Sequence, residues 1–204
     1  MIGIIDYGMG NIKAFSNIYS SLNIPSKIVK IKEDFENVDK IILPGVGAFD
    51  HAIKCLERSG LLESLNDMVL NEKQPILGVC VGMQIMAKSS EEGILNGLGW
   101  IDATVDKFDK KVVNNGNPLP HMGWNSIKFL KSNSLFNDID AGSRFYFLHS
   151  YYFSPANKKN FIASAEYGDD FTCAINHDNI YGVQFHPEKS HYNGVQLLKN
   201  FSNL

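Results

Sequence analysis

Residues 75–87 read PILGVCVGMQIMA, and this stretch decides the fold. The positions from Ile76 to Val79 are apolar or glycine, which predicts a short buried strand. Gly78 and Gly82 lie two residues to either side of Cys80, and such small residues are typical of a sharp strand-to-helix turn, where larger side chains do not fit. The stretch therefore predicts a strand within an α/β sheet, with a cysteine at the turn that follows it.

The first half of the chain repeats this alternation of strands and helices. Short apolar runs predict strands at 2–5, 26–31 and 40–43, and amphipathic stretches predict helices at 12–22 and 49–71. We expect Asn11 to cap the first helix and Gly60 to interrupt the second. Strands that are apolar throughout and alternate with helices predict a parallel sheet covered on both faces.

The second half changes character. Aromatic and β-branched runs separated by Asn, Gly and Asp turns predict strands at 101–108, 124–130, 144–153, 161–167, 172–176 and 180–185, and a helix closes the chain at 194–201. The expected fold class is therefore α/β: an open, mainly parallel central sheet with helices on both faces, plus antiparallel strands in the second half. Residues 1–204 contain no linker or repeat and are expected to form a single domain.

Composition argues against several classes of partner. The 204 residues carry 19 Lys plus Arg against 22 Asp plus Glu, a net charge of −3, with no basic stripe suited to nucleic acid. The longest mostly apolar stretch, residues 76–87, is too short to span a bilayer, and no secretion signal is visible, so no membrane partner is expected. Three scattered cysteines favour a reducing compartment and a cytoplasmic location.

Cys80 is the candidate nucleophile. At a strand-to-helix turn its side chain is expected to be exposed, and the N–H groups of the following helix favour the thiolate. The alternative is a small buried hydrophobe, as most free cysteines are. Cys55 and Cys173 lack such a setting and are expected in the core.

His186 is the candidate base, because it alone among six histidines follows an apolar strand and precedes Pro187 and Glu188. Pro187 favours extended geometry at His186, so that the Glu188 carboxylate can hold the far ring nitrogen. Cys80, His186 and Glu188 would then form a Cys-His-Glu triad. Taken singly, His186 could be a strand-end histidine bonded to backbone, and Glu188 a solvated carboxylate.

Donors for an oxyanion are expected from backbone N–H groups. Residues 44–47 read PGVG after a predicted strand, so the N–H groups of Val46 and Gly47 can approach a substrate closely. The N–H of Val81 would supply another donor. The 44–47 segment could also be a simple strand-to-helix turn, and it is no P-loop, because no Lys-Ser/Thr pair follows.

These motifs resemble the triad, or class I, glutamine amidotransferases, which carry a G-x-C-x-G turn, a Pro-Gly-rich oxyanion strand and a late H-P-E. The segments DYGMGN at 6–11, PHMGWN at 120–125, HSY at 149–151 and HPEKS at 186–190 narrow the resemblance to the glutaminase subunits of imidazole glycerol phosphate synthase. The likeness extends along essentially the whole chain. At position 81 the family more often has Leu, and Val81 changes little because a backbone group would act there.

The resemblance implies an enzyme that hydrolyses glutamine through a thioester on Cys80. Ammonia would pass to a cyclase subunit, a (β/α)₈ barrel in the family, that makes imidazole glycerol phosphate and an aminoimidazole carboxamide nucleotide in histidine biosynthesis. Glutamine and the cyclase, in a heterodimer, are the implied partners, and neither a metal nor another cofactor is implied.

The resemblance also implies residue roles beyond the triad. Gln84 and Glu92 would contact the amino-acid head of glutamine, and Ser150 with Tyr151 would meet its carboxylate. Glu92 could equally be a solvated carboxylate before Gly93.

A cyclase-facing surface is implied at Met122, Trp124, Asn125 and Lys189. Met122 and Trp124 could instead be core residues of a strand.

Two other functions use the same chemistry. A paralogue could supply ammonia to a different synthase, such as one that builds an amidine on a surface sugar, and the partner that co-purifies with the chain would identify it. A free-standing γ-glutamyl thiol hydrolase would act without any partner. A catalytically idle scaffolding subunit would not react at Cys80 with a glutamine-analogue electrophile.

Overall fold

The structure is a computed structural model that describes residues 1–109 and 116–204. Its strands are β1 (Ile2–Ile5), β2 (Ser26–Val29), β3 (Lys40–Leu43), β4 (Ile76–Val79), β5 (Ser89–Ser90), β6 (Ala103–Lys107), β7 (His121–Phe129), β8 (Arg144–His149), β9 (Tyr151–Pro155), β10 (Phe161–Tyr167), β11 (Asp169–His177) and β12 (Ile180–Val183). The helices are α1 (Ile12–Ser21), α2 (Phe49–Ser59), α3 (Leu62–Asn66), α4 (Val81–Gln84) and α5 (His191–Ser202). A π-helical turn, Asp67–Asn71, continues α3, and short 3₁₀ turns lie at Lys32–Phe35, Ser134–Phe136, Lys158–Asn160 and Pro187–Lys189.

The central sheet has nine strands in the order β2-β1-β3-β4-β12-β11-β10-β7-β8. The first five of these are parallel to one another, and the remaining pairings are antiparallel. Of the parallel strands, β1, β3 and β4 are almost fully buried because helices cover them, as their apolar sequences require, whereas the edge strand β2 is mostly only partly buried. A second sheet of three strands has the order β5-β6-β9.

Helices lie on both faces of the parallel part. The chain moves from β1 to β2 in one direction along the sheet and from β3 to β4 in the other, so right-handed connections place α1 opposite α2 and α3. Accordingly α1 contacts α5, whereas α2 contacts α3 and α4. The predicted α/β fold class is confirmed, with the antiparallel strands in the second half.

Most predicted elements of the parallel part lie close to their expected bounds, and Gly60 ends α2 in the left-handed conformation with φ +74°. Asn11 occupies the N-cap position of α1, as predicted, but its side chain makes no capping hydrogen bond. The second strand ends at Val29 rather than at Ile31, whose side chain is 56% exposed.

The largest difference concerns the single strand predicted at 144–153. The structure divides it at Ser150 into β8, which pairs with β7, and β9, which pairs with β6 in the other sheet. The sequence remains rich in aromatic residues across the break, so its composition gives no sign of the division. The crossing between the sheets brings residues 148–151 beside the end of β4.

Candidate active site

The candidate nucleophile and the candidate base lie at the same edge of the sheet, after two neighbouring parallel strands. Val79 of β4 lies opposite Val183 of β12 in the ladder. Cys80 follows Val79 directly, and His186 comes three residues after Val183. Residues that are distant in sequence therefore meet because parallel strands end side by side.

Cys80 occupies a strained turn between β4 and α4. Its φ of 55° and ψ of −114° lie in a region that non-glycine residues rarely adopt. The flanking glycines are required by close contacts: a Cβ at Gly82 would lie 1.9 Å from the carbonyl oxygen of Leu43, and one at Gly78 would lie 2.8 Å from that of Gly82. The predicted strand-to-helix elbow is thus present.

The surroundings of Cys80 differ from the prediction in two respects. Cys80 is only 3% exposed, so the expectation of an exposed thiol is wrong. The Leu148 carbonyl oxygen and the Gln184 amide lie 3.8 and 3.7 Å from its Sγ and cover it. The helix that follows has only four residues, which limits the stabilisation of a thiolate by its dipole. Of the other cysteines, Cys173 is fully buried as expected, whereas Cys55 is only partly buried.

His186 lies between Cys80 and Glu188. Its Nδ1 is 2.9 Å from Glu188 Oε1, and both side chains are almost completely buried. Because the carboxylate accepts from Nδ1–H, the other ring nitrogen is left for the Cys80 side chain, with which the ring interacts. The three predicted triad residues are therefore brought together.

Charge interactions govern the protonation of His186. Burial by itself lowers the pKa of this imidazole, but hydrogen bonds and charge interactions with Cys80 and Glu188 outweigh burial and raise the pKa to about 10. At neutral pH the ring therefore carries a proton and can give it to a leaving group.

The loop at 44–47 packs directly on the elbow. A Cβ at Gly45 would lie 2.3 Å from the backbone nitrogen of Gly82, so the two segments are in backbone contact. The Tyr7 hydroxyl donates to the Pro44 carbonyl at 2.8 Å, which ties this loop to the Gly-rich turn after β1. Gly47 has φ +94°. The 44–47 loop is therefore packed against the elbow and is not an isolated turn between a strand and a helix.

A cavity of about 90 Å³ lies over the thiol. It is lined by Val46, Gly47, Cys80, Val81, Gln84, Glu92, Leu148, His149, Ser150, Tyr151 and His186. All the residues predicted for the oxyanion and for glutamine are among them. Val81 is the first residue of α4, so its N–H has no intrahelical partner.

Gln84 and Glu92 present acceptors to this cavity. The Gln84 amide donates to the Tyr151 carbonyl and to Gln184 Oε1, both at 3.1 Å, which leaves its own oxygen as the group for a ligand. Glu92 Oε2 accepts the N–H of Phe49 at 2.9 Å, so Glu92 is not simply a solvated carboxylate. Two oxygen acceptors that line one cavity suit a cationic group such as an ammonium.

Three residues at the site were not predicted from the sequence. The carbonyl of Leu148, the ring of His149 and the amide of Gln184 all contact the cavity or the thiol. The HSY segment contains His149, whereas Gln184 directly follows the apolar strand β12 and belongs to no recognised motif. The contacts of Leu148 and Gln184 follow only from the strand pairing.

His149 belongs to a buried chain of hydrogen bonds. Its Nδ1–H donates to the Tyr151 carbonyl at 2.8 Å, and its Nε2 lies 3.0 Å from Nδ1 of His121. The Nε2 of His121 in turn accepts from the Asn125 amide at 3.3 Å. Burial lowers the pKa of His121 to about 4. Burial and the nearby His121 ring, which would repel a second positive charge, lower the pKa of His149 to about 3, so both rings are neutral at pH 7.

An exposed surface lies on the outer side of β7. Met122 is 66% and Trp124 is 38% exposed, so neither is a core residue. The Trp124 ring stacks on His191 at 5.1 Å, and Lys189 Nζ lies 5.6 Å from the centre of the Tyr146 ring. Met122 pairs with Leu148, whose carbonyl approaches Cys80, so this surface adjoins the cavity.

No helix among residues 1–109 and 116–204 is long and apolar enough to cross a membrane. Within the same residues, no group of three or more His, Cys, Asp or Glu side chains is arranged to hold a metal ion.

The site and the fold define a class of protein. The family model described as class I glutamine amidotransferase matches residues 3–203, and the chain belongs to this family. A solved structure described as a glutamine amidotransferase superposes with a TM-score of 0.73 at 17% identity, covering 100% of this chain and 99% of the other, which is a likeness of fold.

Particular members of the family are much more similar. The chain is 52% identical to the imidazole glycerol phosphate synthase subunit HisH of Leptospira borgpetersenii, with 100% of both chains covered. It is 50% identical to the subunit of the same name from Bdellovibrio bacteriovorus, again over 100% of both chains. The predicted family resemblance is confirmed.

Proposed function

We propose that this chain is the glutaminase subunit of an imidazole glycerol phosphate synthase in histidine biosynthesis. The observation that carries the proposal is the buried Glu188-His186 pair, 2.9 Å apart, beside Cys80 at a strained elbow, in a chain 52% identical over its full length to a HisH subunit. This arrangement supports hydrolysis of a carboxamide through a thioester.

In the first half of the reaction, the thiolate of Cys80 attacks the side-chain carboxamide carbon of glutamine. The N–H groups of Val46 or Gly47 and of Val81 stabilise the oxyanion that forms. The C–N bond then breaks, protonated His186 gives its proton to the departing nitrogen, and ammonia leaves a thioester behind.

In the second half, neutral His186 takes a proton from water, which attacks the thioester carbon. The C–S bond breaks, glutamate leaves, and Cys80 and His186 return to their starting states. Glu188 holds the imidazole in the required tautomer throughout and stabilises its positive charge. The net reaction converts glutamine and water to glutamate and ammonia.

Substrate recognition uses the polar groups that line the cavity. The oxygens of Gln84 and Glu92 accept from the α-ammonium of glutamine, while backbone groups of Ser150 and Tyr151 receive the α-carboxylate. The engagement of both Gln84 amide hydrogens within the protein supports its role as an acceptor.

The proposed partner is a cyclase subunit with a (β/α)₈ barrel, docked on the face that carries Met122, Trp124 and Lys189. Asn125, the fourth residue assigned to this surface, has its side-chain amide bonded to His121 Nε2 and to the Glu166 carbonyl. Exposure of two large apolar side chains next to the cavity supports this surface. Docking there would enclose the path of ammonia, which in water at neutral pH mostly becomes non-nucleophilic ammonium. The proposal includes a single domain over residues 1–204 and a cytoplasmic location, where thiols stay reduced.

The decisive experiment compares Cys80→Ala with wild type in complex with the cyclase. Glutamine-dependent synthesis should be lost, whereas synthesis from ammonium salt should remain. Cys55→Ala, the same change at a cysteine outside the cavity, is the matched control and should retain both activities.

Three results would contradict the proposal. Loss of both activities with the complex intact would refute the separate roles of the subunits. Failure of the cyclase to bind or stimulate the wild-type chain would indicate a different synthase partner. Full glutamine turnover by the isolated chain, unchanged by the cyclase, would indicate a free-standing hydrolase.

A further inference from the structure

Two carboxylates join the segment at 91–95 to the beginning of α2. Glu92 Oε2 accepts the N–H of Phe49 at 2.9 Å. In the opposite direction, both carboxylate oxygens of Asp50 accept the N–H of Ile94 at 3.1 Å, and Asp50 Oδ1 also accepts that of Leu95 at 3.1 Å. Each segment thus supplies a carboxylate to the backbone of the other, and we call this pair of contacts the reciprocal clasp.

The backbone at Gly93 packs directly against the Asp50 carboxylate. A Cβ on Gly93 would lie 1.9 Å from Asp50 Oδ1 and 2.5 Å from its Cγ, so no larger residue fits while the carboxylate stays in place. Gly93 does not have a positive φ, and the space taken by Asp50 is therefore what requires a glycine at this position.

The reciprocal clasp also sets the geometry of the cavity. Glu92 lines the cavity, and among the described residues no group bonds its second oxygen, Oε1. Phe49 follows the 44–48 loop, so the Glu92 contact fixes the end of the segment that carries Val46 and Gly47. Asp50 itself does not line the cavity.

We infer that Asp50 is a positioning residue for glutamine: it holds the 91–95 segment so that Glu92 presents its second oxygen to the α-ammonium group. The inference rests on the proposed function, because it uses the ammonium-binding role of Glu92. It predicts that loss of Asp50 weakens recognition of the ammonium group while Cys80 keeps its intrinsic reactivity.

The test compares two electrophiles that label Cys80 in the complex with the cyclase. Diazo-oxonorleucine carries the α-ammonium group of glutamine, whereas iodoacetamide does not. In Asp50→Asn, labelling of the Cys80 peptide by diazo-oxonorleucine, followed by mass spectrometry, should slow about tenfold, as expected when charge-assisted bonds are lost. Labelling by iodoacetamide should stay within about twofold of wild type, because the elbow and triad are untouched.

Controls separate positioning from folding. Gly93→Ala displaces the Asp50 carboxylate and should give the same selective loss. Asp102→Asn removes an exposed carboxylate that pairs with Lys88 at 2.7 Å and should change neither rate. Thermal unfolding of each variant shows whether it is folded under the labelling conditions.

An equal loss with both electrophiles, or no loss with either, in folded Asp50→Asn would overturn the inference. Glu92→Gln tests the underlying role: if its labelling by diazo-oxonorleucine is normal, the ammonium-binding assignment fails, and the inference with it. A wild-type chain that neither electrophile labels at Cys80 would instead count against the proposed glutaminase itself. The Asp50→Asn, Glu92→Gln double variant should be no slower with diazo-oxonorleucine than Glu92→Gln alone, because both changes remove one interaction.

Discussion

Replacement of Glu188 by Gln should reduce catalysis by a limited and calculable factor. The carboxylate lies 2.9 Å from His186 Nδ1, and the two side chains are 1% and 2% exposed, so the bond is charge-assisted and shielded from water. A hydrogen bond to a charged group contributes about 1.5 to 3 kcal/mol and a neutral one about 0.5 to 1.5 kcal/mol, and the difference of about 1 to 1.5 kcal/mol corresponds to about 5- to 13-fold in rate. The Gln oxygen still accepts from Nδ1–H and preserves the tautomer, so only the charge is lost.

The assay is glutamate release by the complex with the cyclase, measured as kcat/KM for glutamine over a range of pH. Because Glu188 helps to raise the pKa of His186 to about 10, its replacement should lower that pKa, and activity should decline at a lower pH on the alkaline side. Synthesis from ammonium salt is the control and should not change.

Glu188→Gln should also lower the free energy of unfolding at neutral pH, since it removes a carboxylate that stabilises buried, protonated His186 and puts an amide nitrogen where Glu188 Oε2 has no hydrogen-bond partner among the described residues. A loss of less than about threefold, with an unchanged pH profile, would refute the charge argument, because even the weak end of the range predicts more. So would an equal loss of ammonia-dependent synthesis.

Three further outcomes are expected. Gly82→Ala should lower the free energy of unfolding by about 3 kcal/mol in urea titration, since its Cβ would lie 1.9 Å from the Leu43 carbonyl oxygen. The control Gly60→Ala, in open space at φ +74°, should lower it by only about 1 to 2 kcal/mol. Equal losses of unfolding free energy in the two variants would contradict the packing argument. The free energy of unfolding should fall below pH 6.5, by about 1.4 kcal/mol per pH unit for each histidine kept neutral by burial, because the unfolded chain takes up protons that folded His121 and His149 do not. His121→Gln should make that dependence shallower, whereas His186, with its raised pKa, is protonated in both states there. Met122→Ala should weaken cyclase binding about tenfold by calorimetric titration, whereas Leu130→Ala, also exposed but at the far end of β7, should leave it unchanged.

The features that depend on neighbouring residues could be predicted from the sequence. The elbow around Cys80 follows from two glycines at fixed offsets, and the Glu188 contact with His186 follows from their separation by one proline. The parallel strands could be predicted because they are short, apolar throughout and bounded by turn residues. In each case the physical cause acts within about five residues.

Features that depend on distant strands could not be predicted in this way. The sequence on both sides of Ser150 favours strands equally, so only pairing with β7 and β6 shows where the chain changes sheets. That change places Leu148 against Cys80 and buries a thiol expected to be exposed. The contact between the Gln184 amide and the Cys80 thiol likewise depends on distant strands, because it follows from the placement of β12 beside β4.

The backbone strain at Cys80 has an evolutionary consequence. With φ at 55° and ψ at −114°, a glycine at this position would have less backbone strain than a cysteine. At position 80, selection for a thermally stable fold therefore favours glycine, whereas selection for catalytic activity favours cysteine. A lineage released from the need to make ammonia would be expected to drift toward glycine here and to gain robustness as it lost its chemistry.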